Sequence, residues 1–288
     1  MHWKQQELDT NTPRLNFLVA YPYCKPDVFE VLKNQTLPYR FLLDSGAFTA
    51  HNAGKVITLD DYCRFIEAMP IKPWRYFQLD VVGDPEKTAR NYEKMLERGF
   101  TPVPVFTHNE SLSRLDELYE TSDLVALGGL VGNKNRKAIV RRVMNHAKGR
   151  KIHLLGFTNE QYLKFYKPYM CDSSSLLSAQ RYGTLSIYCG RGKMTSLQKS
   201  AFLSRPKREI LEILTRWGFD PKALAKKENW TDYGSMVKAS LHQEINYYSW
   251  VLKSADYEKN LKTKLFLSVS NQQQVMVLFR NFKRILER

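Results

Sequence analysis

Three aspartates follow apolar runs of the chain, where a carboxylate is well placed to act on a bound ligand. Asp44 lies in LLDSGAF, Asp80 in FQLDVVGD and Asp172 in YMCDSSS. A buried carboxylate needs a partner, so such groups are usually functional or tightly hydrogen-bonded. One such aspartate alone is well explained by an Asx-type turn or a helix N-cap. Three at corresponding positions predict one shared pocket with acid–base or nucleophilic chemistry.

Glycines accompany two parts of this predicted pocket. One lies beside Asp44, and LGGLVG supplies Gly128, Gly129 and Gly132. Glycine lets the backbone approach a flat ligand closely. An isolated glycine pair would be interpreted as a loop turn, but this pair directly ends the apolar run LVAL, which favours a role in binding.

The elements that must position these residues are predicted to alternate between strand and helix. Helix starts are indicated at Thr58–Asp61, Asp84–Pro85 and Thr158–Gln161, which carry N-cap and capping-box patterns. Seven near-continuous apolar runs are typical of parallel strands buried on both faces. These runs are 15–21, 39–43, 76–82, 102–106, 124–127, 152–157 and 169–172.

This alternation predicts an α/β fold, and both a (β/α)₈ barrel and a doubly wound sheet fit it. The GxGxxG fingerprint of a dinucleotide-binding sheet is absent. Polar residues and glycines recur just after the strands, where barrel enzymes assemble their active sites, and this favours the barrel. From about residue 197 the pattern becomes helical, with segments at 232–254 and 271–287. We therefore expect a catalytic barrel over 1–200 and a basic helical extension, packed on the barrel, over 201–288.

The charge is concentrated in one quarter of the chain. The 288 residues include 44 Lys and Arg against 29 Asp and Glu, a net charge of +15, and residues 134–208 hold 17 of the basic side chains with only Glu160 and Asp172 as acids. Such a segment predicts a polyanionic partner, although a merely soluble basic surface is the simpler alternative. No apolar run is long enough to span a membrane, no secretory signal pattern is present, and the four cysteines are dispersed. We expect a soluble, cytoplasmic protein that does not bind membranes.

The ordered motifs over residues 40–195 resemble the guanine transglycosylases, the base-exchange enzymes of queuosine and archaeosine biosynthesis. The matching segments are DSGAF, LD, ALGGLVG, HLLGFTNEQYLKFYKPYMCD and RYGTLSIYCGRGKM. The resemblance implies a modified (β/α)₈ barrel. The CxCxxC zinc cluster of the tRNA-modifying members has no counterpart here. The chain is therefore most similar to the 7-deazaguanine DNA transglycosylases of phages and bacterial modification islands.

The resemblance also implies a role for each matching residue. Asp172 falls on the nucleophilic aspartate, Asp44 on the general base and Asp80 on the acid that reads the guanine edge. Further substrate-binding positions are Ser45, Gly46, Phe48, His108, Gly128, Gly129 and Leu130. Positions that contact the nucleic acid are Arg181, Arg191 and Lys193.

The implied reaction exchanges guanine in DNA for a 7-deazaguanine base such as preQ0, through a covalent aspartyl-glycosyl intermediate. It requires neither a cofactor nor a metal. The implied partners are DNA, with tRNA as the alternative nucleic acid, and the small replacement base. Members of the family often form homodimers.

Two other classes of function remain as alternatives. A nucleic-acid-binding barrel without catalysis would not need all three aspartates together with the GGL loop. An unrelated barrel glycosidase would need only two carboxylates. It would leave both LGGLVG and the carboxylate-poor basic segment unexplained.

Overall fold

A single parallel sheet organises the chain in the computed structural model, which describes residues 13–230 and 240–288. The strands are β1 (Leu15–Ala20), β2 (Tyr39–Asp44), β3 (Arg75–Tyr76), β4 (Val105–Thr107), β5 (Leu124–Gly128), β6 (Lys151–Leu154), β7 (Met170–Ser173), β8 (Thr184–Tyr188), β9 (Met194–Gln198) and β10 (Lys264–Val269). Eight of them pair in parallel in the order β3-β2-β1-β10-β7-β6-β5-β4, while β8 and β9 form a separate antiparallel hairpin. All seven predicted strands are present, with shifted ends.

The two ends of the sheet meet and close it into a barrel. Phe77, just after β3, forms a parallel bridge with Val103, just before β4. The Gln78 amide donates to the Val103 carbonyl at 3.0 Å, and the Val103 amide donates to the Tyr76 carbonyl at 2.8 Å. The fold is thus a modified TIM-like (β/α)₈ barrel, as the sequence predicts.

Helices connect the strands and cover the outside of the sheet. They are α1 (Pro26–Lys33), α2 (Ala47–Asn52), α3 (Leu59–Ala68), α4 (Pro85–Glu97), α5 (Leu112–Thr121), α6 (Arg136–Ala147), α7 (Glu160–Tyr166), α8 (Ser178–Tyr182), α9 (Lys199–Ser204), α10 (Arg208–Arg216), α11 (Leu241–Leu261) and α12 (Gln272–Leu286). The predicted starts of α3, α4 and α7 are confirmed, because side-chain oxygens of Thr58, Asp84 and Asn159 accept hydrogen bonds from the first-turn amides. None of the helices in the described part of the chain combines the length and the apolar character that crossing a membrane requires.

Two layers of apolar side chains hold the barrel together. The larger layer lies between the strands and the surrounding helices and includes Phe17, Leu43 and Val125. The smaller layer draws side chains from strands all around the sheet and fills the barrel interior; it comprises Leu18, Leu42, Phe77, Val103, Val105, Leu124, Ala126, Met170 and Phe266. Because the interior is packed, a ligand has access only at an end of the barrel.

The eighth strand of the barrel comes from the C-terminal part of the chain. β10 pairs in parallel with β1 on one side and with β7 on the other. The C-terminal part is helical, as predicted, but it also supplies a strand of the barrel, so the barrel draws on residues on both sides of the predicted boundary at residue 200. The apolar run KLFLSV was not predicted as a strand, because helical patterns flank it on both sides. The predicted helix 232–254 begins outside the described residues, and the helix found there is Leu241–Leu261.

An insertion separates β7 from α11. It contains the β8–β9 hairpin, α9 and α10. Its apolar side chains, including Ile187 and Leu214, form a separate cluster with side chains of α11, including Tyr248. The sequence predicts one helical segment from about residue 197. In the structure, α9 and α10 are separated around Pro206, whose ring cannot donate a backbone hydrogen bond.

Candidate active site

The three predicted aspartates reach one cavity at the carboxyl end of the barrel. Asp44 is the last residue of β2, Asp172 lies in β7, and Asp80 follows β3. All three line a cavity of about 930 Å³. Parallel strands in a barrel direct their carboxyl ends to the same side, so side chains that are far apart in sequence meet there.

Asp44 is a carboxyl group with an unusually high affinity for its proton. Burial is the main cause, and the negative charges of Asp80 and Asp172 add to it, so that the pKa of Asp44 rises from 3.8 to about 7. Hydrogen bonds from the Gly46 and Ser45 amides oppose this shift, and the Gly46 amide lies 3.0 Å from Oδ2. Near neutral pH, Asp44 can therefore both give and take a proton.

Asp80 is held by the loop that follows β2. The Ser45 hydroxyl donates to its Oδ1 at 2.8 Å, and Ser45 itself is buried. Burial raises the pKa of Asp80, while the Ser45 hydrogen bond acts in the opposite direction. One hydroxyl thus ties together the two loops that carry Asp44 and Asp80.

Asp172 receives hydrogen bonds on both of its oxygens. Oδ1 lies 3.0 Å from His153 Nε2 and accepts from the Gly156 amide at 2.8 Å. Oδ2 accepts a longer hydrogen bond from Ser268 Oγ, at 3.4 Å. These three residues were missed from the sequence. His153 is a polar residue inside the apolar run of β6, which was a usable signal, whereas Ser268 lies in the unpredicted β10.

The glycine loop after β5 forms another wall of the cavity. Gly129 has φ +72°, and a Cβ atom there would lie only 2.6 Å from His108 Nδ1. Glycine is therefore required both by the backbone conformation and by the adjacent ring. Asn133 Nδ2 lies 3.2 Å from His108 Nε2. His108 thus lines the cavity with its ring already engaged by this loop.

The structure brings together most of the predicted site residues. The cavity is lined by Asp44, Ser45, Phe48, Asp80, His108, Gly128, Gly129, Leu130, Asp172 and Arg181. Gly46 does not line it but lies behind the wall, against Pro22. Arg191 and Lys193 also lie outside the lining, in the turn between β8 and β9.

No group of three or more His, Cys, Asp or Glu side chains is arranged to hold a metal ion within residues 13–230 and 240–288. Carboxylates, hydroxyls, an imidazole and two guanidinium groups line the cavity. Comparison of the chain with protein-family models, with curated proteins and with solved structures finds no match.

Proposed function

We propose that the protein is a transglycosylase that exchanges guanine in DNA for a 7-deazaguanine base. The observation that carries this proposal is the convergence of Asp44, Asp80 and Asp172 on one cavity in three different hydrogen-bonding environments. Base exchange needs a nucleophile, a proton carrier and a group that reads the edge of the base. Carboxylates in unlike environments can divide these roles.

In the first step, the Asp172 carboxylate attacks C1′ of the target nucleotide. The C1′–N bond breaks and its electron pair leaves with guanine, while a glycosyl ester forms on Asp172. The departing base takes up the proton of Asp44, whose pKa of about 7 leaves the carboxyl group protonated in mildly acidic solution and about half protonated at neutral pH.

The second step reverses the roles. Asp44, now ionised, removes the ring N–H proton of the incoming 7-deazaguanine. The freed nitrogen attacks C1′, and Asp172 leaves as a carboxylate. The strand is thereby restored with the new base, and both aspartates return to their starting protonation states.

Basic side chains near the cavity support a nucleic-acid substrate. Arg136 and Arg181 line the cavity, and among the described residues neither has an ion-pair partner. Lys134 and Lys137, close to Arg136 in the chain, and Arg191 and Lys193 do not line the cavity, and they too have no ion-pair partner within the described part of the chain. By contrast, Arg150 and Lys151 are paired with Asp116 and Asp123 away from the cavity. Unpaired cations around a deep site are suited to holding phosphates.

The target base must leave its stack to reach the aspartates. Phe48 lines the cavity and is 48% exposed, so its ring is open to a ligand. An exposed aromatic face gives an extruded base a surface on which to stack.

A side-by-side exchange assay tests the proposal. Labelled guanine and preQ0 are offered with duplex DNA, single-stranded DNA or tRNA, to the wild-type chain and to the variants Asp172→Asn and Asp60→Asn. Asp60 is an exposed acid that pairs with Arg98 and does not line the cavity. We expect incorporation into DNA by the wild type and by Asp60→Asn, and none by Asp172→Asn.

Two results would overturn this proposal. Incorporation into tRNA alone would show that tRNA, and not DNA, is the substrate. Binding of DNA without exchange of any base would favour a nucleic-acid-binding protein over an enzyme.

A further inference from the structure

We propose that His153 is a positioning residue that carries its proton on Nε2, donates it in a hydrogen bond to Asp172 and so aims the carboxylate. The hydrogen-bond arrangement stands by itself, and its catalytic consequence rests on the proposed base exchange. A donor that its surroundings hold rigidly fixes the orientation of the carboxylate that it contacts.

The environment of His153 fixes which ring nitrogen carries the proton. The residue is fully buried on β6, and its ring lies 4.9 Å from that of Phe77, centroid to centroid. Nδ1 is enclosed and has no hydrogen-bond partner among the described residues. A proton on Nδ1 would be a buried donor without an acceptor, whereas a proton on Nε2 points at Asp172 Oδ1, 3.0 Å away.

The two oxygens of Asp172 therefore have different roles. Oδ1 is held by His153 and by the Gly156 amide, while Oδ2 has only the 3.4 Å contact with Ser268 among the residues that the structure describes. The geometry leaves Oδ2 as the attacking oxygen. The acid coupled to this centre is Asp44, whose pKa responds to the charge of Asp172.

The same donors serve the covalent intermediate. When Oδ2 bonds to C1′, Oδ1 becomes the carbonyl oxygen of the ester and still accepts from His153 and Gly156. As the incoming base displaces the ester, the electron pair of the C1′–Oδ2 bond returns to the carboxylate. The two donors stabilise that developing charge. His153 keeps its proton throughout both steps.

Three variants separate this role from a structural one. His153→Leu removes the donor, His153→Gln keeps an amide donor in its place, and His146→Leu disrupts a matched His–carboxylate pair on the surface, where Nε2 lies 2.9 Å from Asp116. We expect His153→Leu to lower kcat by about 10- to 100-fold, the effect of one hydrogen bond to a charged group, with KM nearly unchanged. His153→Gln should recover most of the rate, and His146→Leu should behave like the wild type.

NMR provides a readout that does not depend on activity. In the wild type, the ¹⁵N shifts of His153 should show a protonated Nε2 and an unprotonated Nδ1. The opposite tautomer would overturn the inference without reference to activity.

The outcomes also separate this inference from the proposed function. If the wild type exchanges bases and His153→Leu matches it in kcat, the positioning role is wrong and the function stands. If the wild type exchanges no base but NMR shows the expected tautomer, the function is wrong and the His153–Asp172 arrangement stands.

Discussion

Asp44 and Asp172 reach the same cavity from β2 and β7, yet their oxygens meet different partners. Asp172 accepts from an imidazole, a backbone amide and a hydroxyl. Asp44 accepts from backbone amides only, among the described residues, and lies close to two other acids, so its pKa rises to about 7. Under the proposed function, this difference suits Asp44 to the role of proton carrier, because a carboxyl group with a pKa of about 7 can both give and take a proton near neutral pH, and leaves Asp172 as the nucleophile.

The raised pKa of Asp44 predicts a pH-dependent stability. Between about pH 4 and pH 7 the folded chain holds a proton on Asp44 that the unfolded chain has released, so the free energy of unfolding falls as pH rises through this window. Asp44→Asn removes the contribution, on the order of a few kcal/mol. Urea unfolding should show that the free energy of unfolding falls less between pH 5 and pH 8 in the variant than in the wild type. An identical fall in both proteins would show that Asp44 does not cause the pH dependence.

At the residue scale, the sequence predicts the three aspartates but not the partners of Asp172. Each aspartate lies in or close after an apolar run, and that signal is local. His153 and Ser268 act through hydrogen bonds across neighbouring strands, which depend on the register of β6, β7 and β10. The pairing of β7 with both β6 and β10 brings these residues to Asp172.

At the element scale, the loop between β2 and α2 sets the position of Asp44. Gly46 has φ +75°, donates its amide to Asp44, and leaves no room for a side chain, because a Cβ atom would lie 2.3 Å from Pro22 Cδ. Gly54, at the other end of α2, also has a positive φ of +65°, but no described atom lies within 4 Å of the place that a Cβ atom would take there. A comparison of substitutions at the two glycines therefore separates the cost of backbone strain from the cost of steric overlap.

Alanine substitution at these two glycines tests the loop. Gly54→Ala should cost about 1 kcal/mol of stability, because only the backbone conformation is strained. Gly46→Ala should cost about 3 kcal/mol or more and reduce exchange, because the loop must also move away from Pro22. Thermal or urea unfolding measures both values. Equal costs would show that the contact with Pro22 is unimportant.

Strand patterns predict seven of the eight barrel strands, and the missed strand, β10, has a local cause. The seven predicted strands are apolar runs between clear helix or turn signals. β10 lies directly between α11 and α12, so its six residues are hidden between two helical patterns. Its place between β1 and β7 depends on pairing across the whole chain, which no local pattern records.

At the scale of the whole molecule, the barrel brings the basic segment 134–208 to the site. This segment contains Asp172. It also supplies two cations to the cavity lining, Arg136 at the start of α6 and Arg181 in α8. The net charge of +15 therefore includes cations at the cavity itself that have no ion-pair partner among the described residues. Association with a polyanion should weaken steeply as salt rises.

Arginine variants test this distribution of charge. Arg136→Ala and Arg181→Ala should each weaken DNA binding and lower the slope of log affinity against log salt by about 1, the value for one phosphate contact. Arg208→Ala is the control, since that side chain is 93% exposed and already pairs with Glu212. Fluorescence anisotropy at several salt concentrations measures the slopes. An equal effect in all three variants would indicate a general charge effect rather than contacts at the cavity.

The proposed exchange requires that Asp172 become covalently bonded to the nucleic acid. The most direct measurement is to quench the reaction in the presence of DNA, digest the protein, and locate the adduct by mass spectrometry. We predict a single adduct on the peptide that contains Asp172, carrying the DNA strand without one guanine, and none with Asp172→Asn. An adduct on Asp44, or base exchange by Asp172→Asn at the wild-type rate, would contradict the role of Asp172 as the nucleophile.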